Sequence, residues 1–478
     1  MRLLTILVAV VVLASSLSLR LSPSATRGVR VPRERMGQAL FGVSVDKPAG
    51  GSDVVERSNF LNHKLASSIR SQHGTPVFVY DEKTLREQAT TALAFPNSYG
   101  LTVRFAMKAC PNAAILQLFH SMGLNFDASS GFEVERAIKA GIPASAMSLS
   151  SQELPENFKD LIEKGIEFNA CSLNQLETFG KLFPGGKCGL RFNPGKGSGG
   201  TGKTNVGGPS SSFGIWFELL DDVKAIVKKF NLNIIRIHTH IGSGSDPAIW
   251  QEVSAKSLAL VGEFPTVSTL NLGGGFKVGR MSYEKAAATD MQKVGIPIKA
   301  KFEEFAKNDG RKLKLEIEPG TFLVANSGAL LTTVRDIVTT GKEGHQFIKL
   351  DAGMTEVLRP SLYGAQHPIV VLKENESSQD TGSYIVVGHC CESGDLFSCA
   401  PGDPEGLQER KLSKTQIGDL VTLEGSGAYC AGMSTKNYNS FPEAPEVIVD
   451  LKGEPHLIRR RQPLDQIFQN EVPYKISK

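Results

Sequence analysis

The chain has 478 residues, 41% hydrophobic and 21% charged, with a formal net charge of +4. That length exceeds what one hydrophobic core usually serves, so two domains are expected. Six of its 53 basic and two of its 49 acidic residues fall in positions 1–46, leaving 47 of each in the body, which excludes nucleic acid or an anionic membrane as a charge-driven partner.

The chain opens with MRLLTILVAVVVLASS, one Arg followed by an apolar run of a dozen residues, too short to span a bilayer comfortably. LSLRLSPSATRGVRVPRER follows, rich in Ser and Arg. The first part resembles a secretory signal and the second a transit peptide, so residues 1–46 read as a targeting leader. The expected destination is a plastid, with the secretory pathway or another organelle as the alternative, and no membrane attachment is expected of the mature form. The seven cysteines (110, 171, 188, 390, 391, 399 and 430) are odd in number and lack paired Cys-x-x-Cys spacing, so no disulfide framework and no metal site is expected.

Within 47–98, TPVFVYDEK reads as a strand that joins a β domain formed later in the chain. From residue 99 to 344, short apolar strands alternate with amphipathic stretches: LTVRFAMK, LNFDAS, AMSLSS, EFNACS, KCGLRFNPG, NIIRIHTHIGS, VSTLNLGGGF and KLKLEIEPG, each followed by a helix-like segment. Eight strand-helix units of this size predict a (β/α)8 barrel, with a doubly wound open sheet as the alternative. GKGSGGTGKTNVGGPSSS (195–212) is a Gly/Ser-rich loop after the fifth strand; its spacing from strand and helix does not suit a phosphate loop. From 345 to 478, FIKLDAGM, IVVLKE, YIVVGHC, LVTLEG and EVIVDL predict strands without intervening helices, hence a C-terminal β-barrel or sandwich.

In such a barrel the site lies at the C-terminal strand ends, with phosphate held after strands seven and eight. That rule selects Lys108, His240, Gly273-Gly274-Gly275 and Glu318-Pro319-Gly320. Consecutive glycines let backbone amides approach a phosphate. A Glu inside an apolar strand end needs a cation, and a protonated pyridine nitrogen is one. A lysine, a phosphate cradle, a carboxylate and an aromatic ring facing one cavity are the parts that hold pyridoxal 5'-phosphate.

FAMKACPN, FDASSGFEVERA, HTHIGSGSD, LNLGGGF, EIEPG, DAGMTEVLRPSLYGAQHPI, HCCESGD and GAYCAGMSTKNYNS resemble, in order, the motifs of the diaminopimelate decarboxylase family of fold-type III pyridoxal-phosphate enzymes, related to ornithine and arginine decarboxylases. The resemblance implies a head-to-tail homodimer with shared sites, acting on a small amino acid. It implies Lys108 as the Schiff-base residue, His240 stacked on the pyridine ring and Glu318 at its nitrogen. Ser243, Gly273, Gly274, Gly275, Gly320 and Tyr429 would line the cofactor and its phosphate. Cys391, as proton donor, and Glu392, at the distal amine, would come from the partner. Arg359, Tyr363 and Tyr429 would bind substrate. The implied reaction is decarboxylation of meso-2,6-diaminopimelate to L-lysine; an ornithine or arginine decarboxylase and a non-catalytic homologue are the alternatives. Two positions depart from the family pattern: Thr321 replaces the arginine of EPGR, and Ser212 a lysine. Lys203, Lys277 and Arg280 are the cations available to replace the arginine.

Overall fold

The computed structural model describes residues 54–196, 207–240, 242, 246–375 and 380–477. The leader, Lys203 and Ser243, and most of the Gly-rich loop, lie outside the described residues.

Eight parallel strands, Leu101–Ala106, Asn125–Ala128, Met147–Leu149, Glu167–Ala170, Lys187–Asn193, Asn233–Thr239, Thr269–Asn271 and Lys314–Ile317, pair in chain order, and the last pairs with the first. This closed ring is the (β/α)8 barrel and excludes the open sheet. Each strand is followed by a helix, from Ala113–Ser121 after the first to the four-residue Thr321–Val324 after the eighth. Side chains alternate along a strand, so one set faces the helices: Val103, Phe105, Phe126, Leu149, Phe168, Leu190, Ile237, Leu270 and Ile317 join the helices in one core cluster.

The inward set is polar. Arg104 from the first strand and Arg236 from the sixth both reach Glu316 on the eighth: Arg104 donates to its two oxygens at 3.1 and 2.9 Å, and Arg236 Nε pairs with Oε2 at 2.9 Å. Both arginines also pair with Glu167 of the fourth strand. Asn169 donates to the hydroxyls of Ser148 and Ser150, 2.9 and 3.0 Å away. Gly189 has no room for a side chain here, since a Cβ would stand 2.0 Å from Asn169 Oδ1.

Among the described residues, the second sheet has nine strands in mixed order. The sequence-predicted strands appear at Gln346–Leu350, Ile369–Leu372, Thr381–Val387, Leu420–Leu423 and Glu446–Val449. Val77–Asp81 lies at the centre, antiparallel to Gly328–Thr339 and parallel to Glu446–Val449. One boundary differs from expectation. The chain enters this sheet at Gly328, not near 345, because the helix after the eighth barrel strand lasts one turn. The segment 47–98 also serves the barrel: helix Glu82–Leu93 buries Leu85, Ala89 and Ala92 and packs on the first barrel strand and on Thr321–Val324.

Glu316→Ala leaves two buried guanidiniums sharing only the half-exposed Glu167, and is expected to cost about 3–5 kcal/mol of unfolding free energy, measured by denaturant titration. Burial opposes the Glu316 carboxylate, but Arg104 and Arg236 outweigh it and hold its pKa below the ordinary range. Its stabilising contribution is therefore lost on acidification below that range.

Candidate active site

A single 3-10 turn, Met107–Ala109, ends the first strand and aims Lys108 into the barrel mouth while burying Met107 and Ala109. Nζ stands 3.4 Å from Ser129 Oγ at the end of the second strand. Solvent reaches the lysine, yet protein rings it: burial works against the ammonium, but Tyr429, Asp127 and Glu318 outweigh burial and raise its pKa.

Glu318, just past the eighth strand, is buried, with its Oε1 accepting from Asn271 Nδ2 at 2.6 Å and its Oε2 3.2 Å from His238 Nε2. Burial opposes ionisation, but His238, His240 and Arg191 hold its pKa below the usual range. Burial also lowers both imidazoles. At neutral pH the fixed charge of Arg191 and the Asn271 amide therefore keep this carboxylate ionised. The opposite holds at Asp127, where burial first and Glu318 second push the pKa well up. Burial and neighbouring charge thus push the pKa values of these two carboxyl groups in opposite directions, a separation that sets acid and base apart.

Strand six places His238 and His240 inward and turns Thr239 to the helices, where its hydroxyl meets Ser257 at 2.7 Å. His240 Nδ1 accepts the Gly242 N–H at 2.9 Å, which leaves the proton of the neutral ring on Nε2. Its ring abuts the glycines: a Cβ on Gly273 would lie 2.8 Å from His240 Cδ2, and one on Gly274 would lie 2.4 Å from the Glu318 carbonyl oxygen. Gly273 and Gly275 have φ of 70° and 106°. Gly320 lies under Tyr429, whose hydroxyl would be 3.4 Å from a Cβ there. Tyr429, at φ 56°, donates its N–H to Ala109 O at 2.8 Å, so the β domain reaches into the mouth beside Lys108.

Pyridoxal phosphate fits these groups. An amine, a flat face at His240, an open glycine backbone and an ionised buried carboxylate converge, and Asp127 Oδ1 is buried without a hydrogen-bond partner among the described residues. Asp127, Arg191 and Asn271 escaped the sequence reading, while alternation along RIHT puts His238 on the face of His240. The signal for the three was period-two placement of polar residues in apolar strands, as in NFDA.

Cys391 and Glu392 lie elsewhere. They line a cavity of about 900 Å³ in the β domain with His389, Asp395, Phe441 and Arg461. Cys391 is exposed and donates its N–H to Asn439 Oδ1 at 2.8 Å. Arg359 and Tyr363 begin and end one short helix, four residues apart on one face. Thr321 is half-buried at the first position of helix Thr321–Val324, and Ser212 is exposed. All seven cysteines are free, and no described helix is long and apolar enough to cross a membrane.

A family profile described as the pyridoxal binding domain of pyridoxal-dependent decarboxylases matches residues 83–325. Diaminopimelate decarboxylase of Escherichia coli strain K12 is 36% identical over 413 residues, covering 84% of this chain and 95% of the relative. A crystal structure of diaminopimelate decarboxylase superposes with a TM-score of 0.78 at 35% identity, covering 84% and 94% of the two chains. The Helicobacter pylori enzyme complexed with L-lysine does so with 0.72 at 28%, covering 84% and 98%.

Gly274→Ala is expected to displace the Glu318 carbonyl and weaken pyridoxal phosphate retention by roughly tenfold or more, read from cofactor absorbance after dialysis. In the cavity beside Cys391, Glu356 is buried with Oε1 unpartnered among the described residues, and burial pushes its pKa up to about 7. A raised carboxyl pKa stabilises the fold fully below the unfolded value and loses that contribution as pH rises through the folded one. Glu356→Gln should therefore gain on the wild type by on the order of 2 kcal/mol between pH 4.5 and 7, measured by melts across that range.

Proposed function

The chain belongs to the diaminopimelate decarboxylase family, and on that premise we propose that it releases CO2 from meso-2,6-diaminopimelate with pyridoxal 5'-phosphate and leaves L-lysine, the last step of lysine biosynthesis. The observation that carries the reading is Lys108 in the barrel mouth together with a buried Glu318 held between Asn271 and His238.

Bound there, the cofactor supplies the electron sink that lets the bond between Cα and carboxylate break. The residues supply the rest. Lys108 Nζ is the amine that carries the cofactor. Glu318 keeps a proton on the pyridine nitrogen, which its depressed pKa suits, and Asn271 and His238 fix its orientation. The neutral His240 ring offers its face to the cofactor ring. Gly273, Gly274 and Gly275 leave backbone amides open to phosphate, with Ser243 and Tyr429 as further donors and Gly320 making room for the Tyr429 ring. Asp127, whose pKa burial and Glu318 push up, is a further carboxyl group beside Lys108.

The second half of the site comes from a second copy of the chain. Cys391 and Glu392 sit at an open cavity in the β domain, separate from the chain's own Lys108 mouth. A head-to-tail homodimer brings them over the partner's Lys108, where the Cys391 thiol delivers a proton to the carbon that lost CO2 and Glu392 meets the distal ammonium. Arg359 and Tyr363 bind substrate carboxylate. Diaminopimelate, with an amine and a carboxylate at its far end, calls for an acid and a guanidinium together, whereas ornithine needs only the acid. The leader of residues 1–46 supports delivery to a plastid.

The test is CO2 release by the full chain with added pyridoxal phosphate. Diaminopimelate should be turned over, and Lys108→Ala and Cys391→Ala should each be inactive. Mixing the two dead variants under subunit exchange should restore about a quarter of wild-type activity, since half the dimers then have one intact site of two. Release from ornithine or arginine instead would overturn the substrate, and no recovery on mixing would overturn the shared site.

A further inference from the structure

The family arginine after Glu-Pro-Gly is absent, yet the structure holds a guanidinium beside its place. Arg280 ends the loop that follows the glycine triplet, and this loop runs along the segment that Thr321 begins. Phe276 meets Phe322 edge-on with ring centroids 6.5 Å apart, and Asn326 Nδ2 donates to Gly279 O at 3.1 Å. Arg280 Nε donates to Gly425 O at 2.9 Å. Gly425 has φ 66°, and a Cβ there would come within 2.8 Å of Arg280 Cγ, so the arginine packs closely over this turn. The turn leads to Tyr429, whose N–H is tied to Ala109 beside Lys108.

Arg280 Nη2 is buried with no hydrogen-bond partner among the described residues, and so is Arg359 Nε. The nearby acid is engaged otherwise: Glu284 Oε2 accepts the backbone N–H groups of Arg280 and Met281. Arg359 is close enough that, after burial, its charge is the largest cause lowering the Arg280 pKa to about 9. Deeper in the barrel, Arg104 and Arg236 meet Glu316 and Glu167. The contrast matters, because two guanidiniums held together without an acid are costly unless an anion joins them. A carboxylate, with two oxygens to accept two forks, is such an anion.

We propose that Arg280, together with Arg359, binds the substrate carboxylate that survives in the product, taking the place of the arginine missing at position 321. The assignment rests on the diaminopimelate reading above. It makes Arg280 a specificity residue for a dicarboxylic substrate and gives Lys277, which is exposed, no part in it.

The experiment compares the holoenzyme with Arg280→Met and Arg280→Lys. Two ligands are titrated by cofactor absorbance: L-lysine, which keeps the carboxylate, and cadaverine, which is lysine without it. Arg280→Met should raise KM for diaminopimelate and Kd for lysine by roughly tenfold to a hundredfold, with kcat changed far less and cadaverine binding within about twofold of wild type. Arg280→Lys should fall between the two. Equal weakening of lysine and cadaverine would reduce Arg280 to a structural role, and no weakening of either would remove it from the site. If Arg280→Met does not fold, the ratio of the two affinities in Arg280→Lys decides. A wild type that neither releases CO2 from diaminopimelate nor binds lysine would overturn the activity itself, and this assignment with it.

Discussion

Glu316, clasped between Arg104 and Arg236 inside the barrel, is the contact on which the remaining design depends. Barrels of this kind are usually filled with branched apolar side chains. Here the interior is a hydrogen-bonded lattice of Arg, Glu, Asn, Ser and His, drawn from strands all round the barrel. Burying charge is tolerable only if every member is paired, so the lattice dictates strand register: one residue of slip would turn Arg104 toward the helices and leave Glu316 uncompensated. The apolar work is done on the other face, where Phe105, Phe126, Phe168 and Ile237 pack under the helices.

That polar interior also sets the electrostatics of the mouth. Asn271 spans the step between the two layers, 3.4 Å from Glu316 Oε2 and 2.6 Å from Glu318 Oε1. The Glu318 pKa is therefore held down beside the same arrangement of donors and cations that holds the barrel together, while burial and the Glu318 charge push the Asp127 pKa the other way. Stability and cofactor electronics are two readings of one network.

Much of this was legible beforehand. All eight barrel strands could be read because their outward residues are apolar and their helices amphipathic, and Lys108, His240, the glycine triplet and Glu318 followed from the position of strand ends. The entry into the β sheet at Gly328 was not legible, because a one-turn helix leaves little periodicity to read. Nor was the polar lattice, which shows in sequence only as single residues at alternate positions in short strands. Arg280 could be named as a cation near Thr321 but not chosen, since the Gly425 turn that holds its guanidinium lies 145 residues away in the chain. The separation of Cys391 from Lys108 is likewise a matter of tertiary placement.

The strand Val77–Asp81 precedes the barrel but is sandwiched between Gly328–Thr339 and Glu446–Val449. On a ribosome, the barrel strands from Leu101 to Ile317 are all exported before either neighbour of this strand exists. A hydrophobic segment, VFVY, must therefore wait through most of synthesis with both edges unpaired, the circumstance in which strands recruit wrong partners. The order of synthesis thus leaves closure of the β domain among the last events of its folding.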